Sequence, residues 1–299
     1  MIKKLSLYTI ALLGCLVLFN SCKKEYEDVE ALDERSIAEY LTKNNITAEK
    51  DASGFYYQII DEGTGGTVDR TDSVFYTYDF KRANGVSILK TPEYEMPRTF
   101  LGYTDRFNFK TIPAIRLTLS KLQKGGTARV ILPSRMAFGK NGNKQLGVGS
   151  NEIIVIDLAL PNYSNWVEVD NYLIDKFVAA NNLQTVTDPN RVRYLISAEG
   201  TGKEDVKKTS KIKAKYTGKY LNGTVFDSST DGADFKLDDV VPGWTLTIPG
   251  KIGVGGKIRL LIPSDLGYGQ QGLVSNGTLV IPKNACLDFE IEIVSVTND

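Results

Sequence analysis

The chain is written twice. Asn44-Asn45-Ile46 returns as Asn181-Asn182-Leu183, and Glu62-Gly63-Thr64-Gly65 returns at the same offset as Glu199-Gly200-Thr201-Gly202. The run KGGTARVILP from Lys124 to Pro133 is answered by VGGKIRLLIP from Val254 to Pro263, and Phe138-Gly139 by Tyr268-Gly269. Two copies of one unit account for 299 residues better than a single large domain does.

Each copy opens with a helical pattern. Asp33 to Asn44 puts Ile37, Tyr40 and Leu41 on one stripe, and Val169 to Asn181 does the same with Tyr172, Leu173, Lys176 and Phe177. The rest alternates at the strand period. Ile212, Ala214 and Tyr216 interleave with Lys211, Lys213 and Lys215, the pattern of an antiparallel sheet with one wet and one buried face. Pro, Asn and Ser cluster between Pro161 and Trp166 and mark the join. The expected organisation is a signal segment over 1–22, a tether and helix over 23–52, copy one over 53–161, a linker helix over 162–190 and copy two over 191–297.

The N-terminus reads as an address. Lys3 and Lys4 precede the mostly apolar run Leu5 to Phe19, which is short for a membrane span. Ser21-Cys22 then gives way to Lys23-Lys24-Glu25. This resembles a bacterial lipoprotein signal, which implies lipidation of Cys22, a polar tether after it and an envelope location, periplasmic or surface-exposed. Cys15 falls in the segment that would be removed, so only Cys286 remains and no internal disulfide is expected. Leu287, Phe289, Ile291 and Ile293 share one face of their strand, which leaves Cys286 on the other with Asp288 and Glu290, read as the solvent side.

The 36 basic and 36 acidic residues cancel, so charge gives no case for a nucleic-acid partner. Histidine is absent altogether, which removes the commonest general base and metal ligand. No Cys/Asp/Glu cluster suggests a metal, and no cofactor is implied. Any chemistry must run on Asp, Glu, Tyr, Lys or Cys, or need no proton transfer.

Copy two carries a specific series. KAKYTGKYLNGTVFDSS (Lys213 to Ser229) is followed by VVPGW (Val240 to Trp244), GGKIRLLIPSDLGYG (Gly255 to Gly269) and VIPKNACLDFEIEIVSV (Val280 to Val296). In that order and spacing, from about Val192 to Val296, the chain resembles the FKBP family of macrolide-binding peptidyl-prolyl cis-trans isomerases. The resemblance implies an α+β fold of two FKBP-like domains, each a curved antiparallel sheet wrapped round a short helix. It implies activity on X–Pro bonds, with proline-containing clients and possible macrolide ligands. It further implies a pocket in which Tyr216 and Phe226 form a wall beside Phe235, and Asp227 at the edge polarises the substrate carbonyl. Val240 and Val241 precede Trp244, which would lie under the proline ring. Tyr268 would donate a hydroxyl hydrogen bond, Ile281 would offer its backbone N–H and side chain, and Phe289 would close the back.

Taken singly, these residues have plainer explanations. Tyr216 and Phe289 alternate correctly for a core, and Asp227 suits a turn. Their joint occurrence in family order carries the reading. Trp244-Thr-Leu-Thr-Ile-Pro is poor helix material, so a shortened or broken helix is expected there. Gln270 to Thr278 is expected to be a mobile overhang.

Copy one departs at each key position. Tyr78 stands for Gly218, Ile88-Leu89-Lys90-Thr91 for Phe226-Asp227-Ser228-Ser229, Ile115 for Trp244 and Phe138 for Tyr268. Copy one is therefore expected to fold without being active. Two functions compete for the whole: an envelope-anchored prolyl isomerase that assists folding, or a non-catalytic lipoprotein that binds proline segments or serves as a scaffold.

Overall fold

The computed structural model describes residues 28–298, so the signal segment and Cys22 lie outside the described residues. In copy one the elements are α1 (Val29–Lys43), β1 (Glu49–Lys50), β2 (Tyr56–Asp61), β3 (Ser73–Phe75), β4 (Thr77–Arg82), β5 (Ser87–Lys90), β6 (Arg98–Phe100), β7 (Arg106–Phe107), β8 (Lys110–Thr111), α2 (Pro113–Leu119), β9 (Thr127–Leu132) and β10 (Ile154–Ala159). Next come α3 (Trp166–Ala180), β11 (Val186–Thr187), β12 (Arg193–Ala198), β13 (Lys211–Tyr220), β14 (Val225–Lys236), α4 (Pro242–Thr247), β15 (Lys257–Ile262), β16 (Leu273–Ser275), β17 (Thr278–Ile281) and β18 (Leu287–Thr297). The chain forms two compact units, one of residues 28–58, 81–88 and 130–156, the other of residues 59–80, 89–129 and 157–298.

The duplication in sequence is a duplication in topology. One six-stranded sheet has the order β1-β2-β9-β10-β4-β5 and the other β11-β12-β15-β18-β13-β14. Strand by strand the two orders correspond. In copy two the strands of the sheet pair antiparallel throughout. Asn222-Gly223 turns β13 into β14, with Gly223 at φ +86° where a side chain would be strained. Register shifts between Ala214 and Tyr216 and between Gly218 and Lys219 bend this hairpin. The paired Glu-Gly-Thr-Gly motifs have a packing reason. A Cβ on Gly200 would lie 2.5 Å from Gly256 N and Val254 O, and one on Gly63 would lie 2.6 Å from Gly126 N and Gln123 O. Each bend rests directly on the backbone of its own Gly-Gly loop.

In the second unit the core of copy two gathers Ile212, Ala214, Leu237, Trp244, Ile248, Ile258, Leu260, Ile262, Leu287, Phe289 and Ile291. The short helix α4 does form. Pro242 occupies its first position, where its missing N–H costs nothing, and Thr245 Oγ1 donates to Leu237 O at 2.5 Å. The helix has six residues and ends before Pro249, whose ring would clash with a further turn. Gln270 to Thr278 is not an irregular overhang. It enters the hairpin β16–β17, turned through Asn276 and Gly277, both at positive φ.

Helix α3 begins at Trp166, earlier than the apolar stripe alone indicates. Asn165 Oδ1 accepts the Glu168 N–H at 3.1 Å while Glu168 accepts the Ser164 N–H at 2.7 Å, a capping box shifted by one residue. Its buried side chains Val169, Leu173, Ile174 and Phe177 pack with Leu221, Leu261 and Cys286. This helix corrects the reading of Cys286. The face of the strand opposite Phe289 is covered by α3, so the thiol is buried and not solvent-facing. On the same face Asp288 is 2% exposed and is held by two hydrogen bonds from Arg259, at 2.8 and 2.7 Å.

A buried carboxylate fixes α3 to the sheet. Asp170, fully buried, accepts from Ser264 N at 2.8 Å, Ser264 Oγ at 2.7 Å and Cys286 Sγ at 3.4 Å. Asp33 of α1, at the repeat offset, is equally buried and accepts from Ser134 N at 2.9 Å and Arg135 N at 3.2 Å. Burial raises the Asp170 carboxyl above its ordinary 3.8 despite these donors, and it raises the Cys286 thiol well above 9.0. The turns facing these carboxylates have diverged in charge. Arg191 sits at φ +79° and bonds Asp265 Oδ2 at 2.5 Å. In copy one the corresponding positions are Gly54, at φ +94°, and Arg135, which reaches Asp33 and Glu30, each at 3.3 Å.

Asp170→Ala strands the two Ser264 donors and is expected to cost about 2–4 kcal/mol, read as a lowered urea midpoint. Because the folded carboxyl is raised, the native state holds the proton longer than the unfolded chain does. Relative to Asp170→Asn, wild-type stability should therefore fall as pH climbs from 3.8 through the raised value and then level off. A flat difference between the two proteins across that range would contradict this assignment.

Candidate active site

Strand β13 supplies Tyr216, β14 supplies Phe226, Asp227 and Phe235, and the approach to α4 supplies Val240 and Val241. Trp244 comes from the helix, Tyr268 from the loop after β15 and Phe289 from β18. With Asp239, these residues line one cavity of about 430 Å³, within the ordinary range for a small-ligand site. The sequence reading had also placed Ile281 in the lining. Ile281 is 3% exposed and pairs with Leu273 within the apolar core, and it is not among the residues lining the cavity. Asp239 was missed. It lies just before the Val240-Val241 pair, and the start of α4 turns that segment across the cavity mouth.

The aromatic rings meet edge to face, the arrangement their quadrupoles favour. Trp244 stands 5.2 Å from Phe289 at 87°, 5.7 Å from Tyr216 at 81° and 5.6 Å from Phe235 at 69°. Phe226 meets Phe289 at 5.5 Å and 89°. Trp244 is 3% exposed, and its Nε1–H has no partner among the described residues. Such a buried donor is costly unless a ligand completes it.

Tyr216 Oη donates to Asp227 Oδ2 at 2.7 Å, which leaves the other carboxylate oxygen toward the rim. Desolvation first, then this bond and the Asp227 charge, push the Tyr216 phenol far above 10.0. Tyr268 is raised as well, by burial and then by the charge of Asp227. Both phenols therefore stay protonated at neutral pH and act as hydrogen-bond donors.

Space for the rings depends on Gly218. A Cβ there would lie 2.7 Å from both Phe226 Cζ and Phe289 Cε1. The hairpin of copy one bonds Arg82 N to Val86 O as that of copy two bonds Tyr220 N to Thr224 O, so Phe80 stands at this position and Tyr78, expected there from the sequence, answers Tyr216 instead. The Tyr78 ring packs on Phe80 at 5.7 Å and on Phe107 at 5.1 Å. Phe107 also packs on Phe80 at 5.2 Å and on Phe109 at 5.6 Å. Phe107 and Phe109 come from the β7–β8 hairpin, in the longer segment that separates β5 from α2. Copy one thus packs this side of its sheet with rings from its own loop.

A family model described as FKBP-type peptidyl-prolyl cis-trans isomerase matches residues 202–294, the segment that builds this cavity. Copy two belongs to the FKBP-type family. A probable FKBP-type peptidyl-prolyl cis-trans isomerase of Haemophilus influenzae is 39% identical over 127 residues, 41% of this chain and 50% of that protein. FkpA of Aeromonas hydrophila is 39% identical over 108 residues, 35% of this chain and 38% of its own length. The 22 kDa FKBP-type isomerase of Escherichia coli is 38% identical over 94 residues, 30% of this chain and 42% of its length. The chain spans half or less of each of these relatives.

Gly218→Ala is expected to displace the Phe226 and Phe289 rings and to destabilise the fold by about 1–3 kcal/mol. In a Trp166→Phe background the change should appear in Trp244 fluorescence as well as in the denaturation midpoint. Unaltered emission would mean that the rings do not depend on this glycine.

Proposed function

We propose that the FKBP-type copy is a peptidyl-prolyl cis-trans isomerase and that its cavity is the active site. The observation that carries this reading is the aromatic cavity itself, with Trp244 at its base and the Tyr216–Asp227 hydrogen bond at its edge. Rotation about X–Pro is slow because amide resonance must be broken, a barrier of about 18–20 kcal/mol. No bond to the substrate is required. The twisted amide is less dipolar than the planar one, so an apolar enclosure favours it. The proline ring lies against Trp244, Phe235 and Phe289. Tyr268 donates its hydroxyl proton to a flanking carbonyl, and Asp227 polarises and orients the rotating one. No step moves a proton to or from the substrate, in keeping with a sequence without histidine.

In this reading the clients are proline-containing polypeptides of a bacterial envelope, and Cys22 carries the lipid that tethers the protein there. Macrolides enter the same cavity. Copy one, with Ile115 in place of Trp244 and Phe80 in place of Gly218, is a non-catalytic platform for clients or partners.

The test is an isomerisation assay on short X–Pro peptides with the whole protein. Wild type should exceed the uncatalysed rate. Trp244→Ala should lower kcat/KM at least about tenfold, and Asp227→Asn likewise, with circular dichroism confirming that both fold. Loss of activity in both variants would also assign all turnover to copy two. A wild-type rate equal to background would leave a binding module for proline segments.

A further inference from the structure

The cavity has an electrostatic sign that its isomerase role does not require. Two of its lining residues are carboxylates, Asp227 and Asp239, and none is lysine or arginine. Both are exposed beside the aromatic walls. Asp227 is bonded only by a neutral phenol, which leaves its charge uncompensated. Asp239 has no side-chain partner among the described residues, although its own N–H is tied to Lys236 O at 3.0 Å, which fixes the turn that presents it.

The surrounding segment strengthens this sign. Asp231, Asp234 and Asp238 fall between the two rim carboxylates, and Lys236 is the only cation among them. That lysine is taken up by Asp238 at 2.9 Å. Lys213 stands opposite Asp234 on β13, so the excess at the cavity, in a chain whose charges cancel, is its two lining carboxylates. The field reaches the interior, because the charge of Asp227 contributes to raising both Tyr216 and Tyr268. The buried, unpartnered Nε1–H of Trp244 independently marks the same cavity as built to receive a ligand.

We infer that the acidic rim selects X–Pro segments in which a lysine or arginine stands beside the proline, with Asp239 as the residue that sets this preference. The inference rests on the isomerase reading of the cavity and adds a substrate class to it. The proline enters the aromatic cavity, and the flanking ammonium or guanidinium remains at the mouth between the two carboxylates. A glutamate at that position meets two like charges. Asp227 also serves the reaction, whereas the isomerase reading assigns no step to Asp239.

Four peptides that differ only in the residue before proline, namely Lys, Arg, Leu or Glu, test this with the full chain. At low ionic strength kcat/KM for Lys–Pro and Arg–Pro should exceed that for Glu–Pro by about three- to tenfold, the range expected for exposed ion pairs. Raising the salt toward 1 M, where screening acts within about 3 Å, should close the gap. Asp239→Asn should shrink the Lys-to-Glu ratio, and Asp239→Lys should bring it to unity or invert it. Leu–Pro turnover together with equal Lys–Pro and Glu–Pro rates at low salt would overturn the inference and leave the isomerase reading intact. If no peptide is turned over, the isomerase reading fails. The preference is then read from Trp244 fluorescence titrations with the same peptides, where equal affinities for Lys–Pro and Glu–Pro overturn it.

Discussion

A single buried carboxylate joins the linker helix to everything that follows it in copy two. Asp170 holds the turn at Ser264 through two donors and the start of β18 through Cys286. From that turn the chain runs four residues to Tyr268, and from Cys286 it runs three to Phe289. Two walls of the cavity therefore hang from one side chain that never touches it. The energetics are asymmetric. Burial raises the cost of the charge, the donors offset part of that cost, and removing the acceptor would leave the donors with nothing in its place. Asp33 makes a related attachment in copy one, through the backbone N–H groups of Ser134 and Arg135, so the device belongs to the repeated unit.

That common frame makes the divergence between the copies easy to locate. Both sheets have the same strand order, and both carry a one-turn helix entered through proline. What differs is where the aromatic mass sits. In copy two a glycine at position 218 clears room, and Phe226, Trp244 and Phe289 stand around the space. In copy one Phe80 occupies the corresponding strand position, and Phe107 closes on it from an inserted hairpin. A cavity and a packed core are alternative uses of one scaffold, and very few side chains separate them.

The two-copy architecture was legible in the sequence because glycines at the bends are fixed by backbone contact and cannot drift. Most of the cavity lining was legible for a different reason: Tyr216, Phe226, Asp227, Trp244, Tyr268 and Phe289 come from distant segments, and their order identifies them together. Asp239 carried no such signal, since its place depends on how α4 starts. A strand position does not reveal whether the Ile281 side chain faces the cavity or the core beneath it. The burial of Cys286 needs knowledge of which helix covers the second face of the sheet, and periodicity within one strand is silent on that. The Asp33–Asp170 correspondence could have been found. Both stand at the offset already shown by Asn44-Asn45 and Glu62-Gly63.

Tandem copies face a hazard that single domains escape, namely that a segment of one can settle on its twin while the chain is still finding its native state. The interchange of charge at Gly54 and Arg135 against Arg191 and Asp265 bears on this. A copy-one turn seated in the copy-two frame would set the guanidinium of Arg135 against that of Arg191. The opposite error would bring Asp265 to the carboxylates of Asp33 and Glu30. Each mistaken docking sets like charges together at these turns, where Arg191 pairs with Asp265 and Arg135 with Asp33 and Glu30 in the correct one.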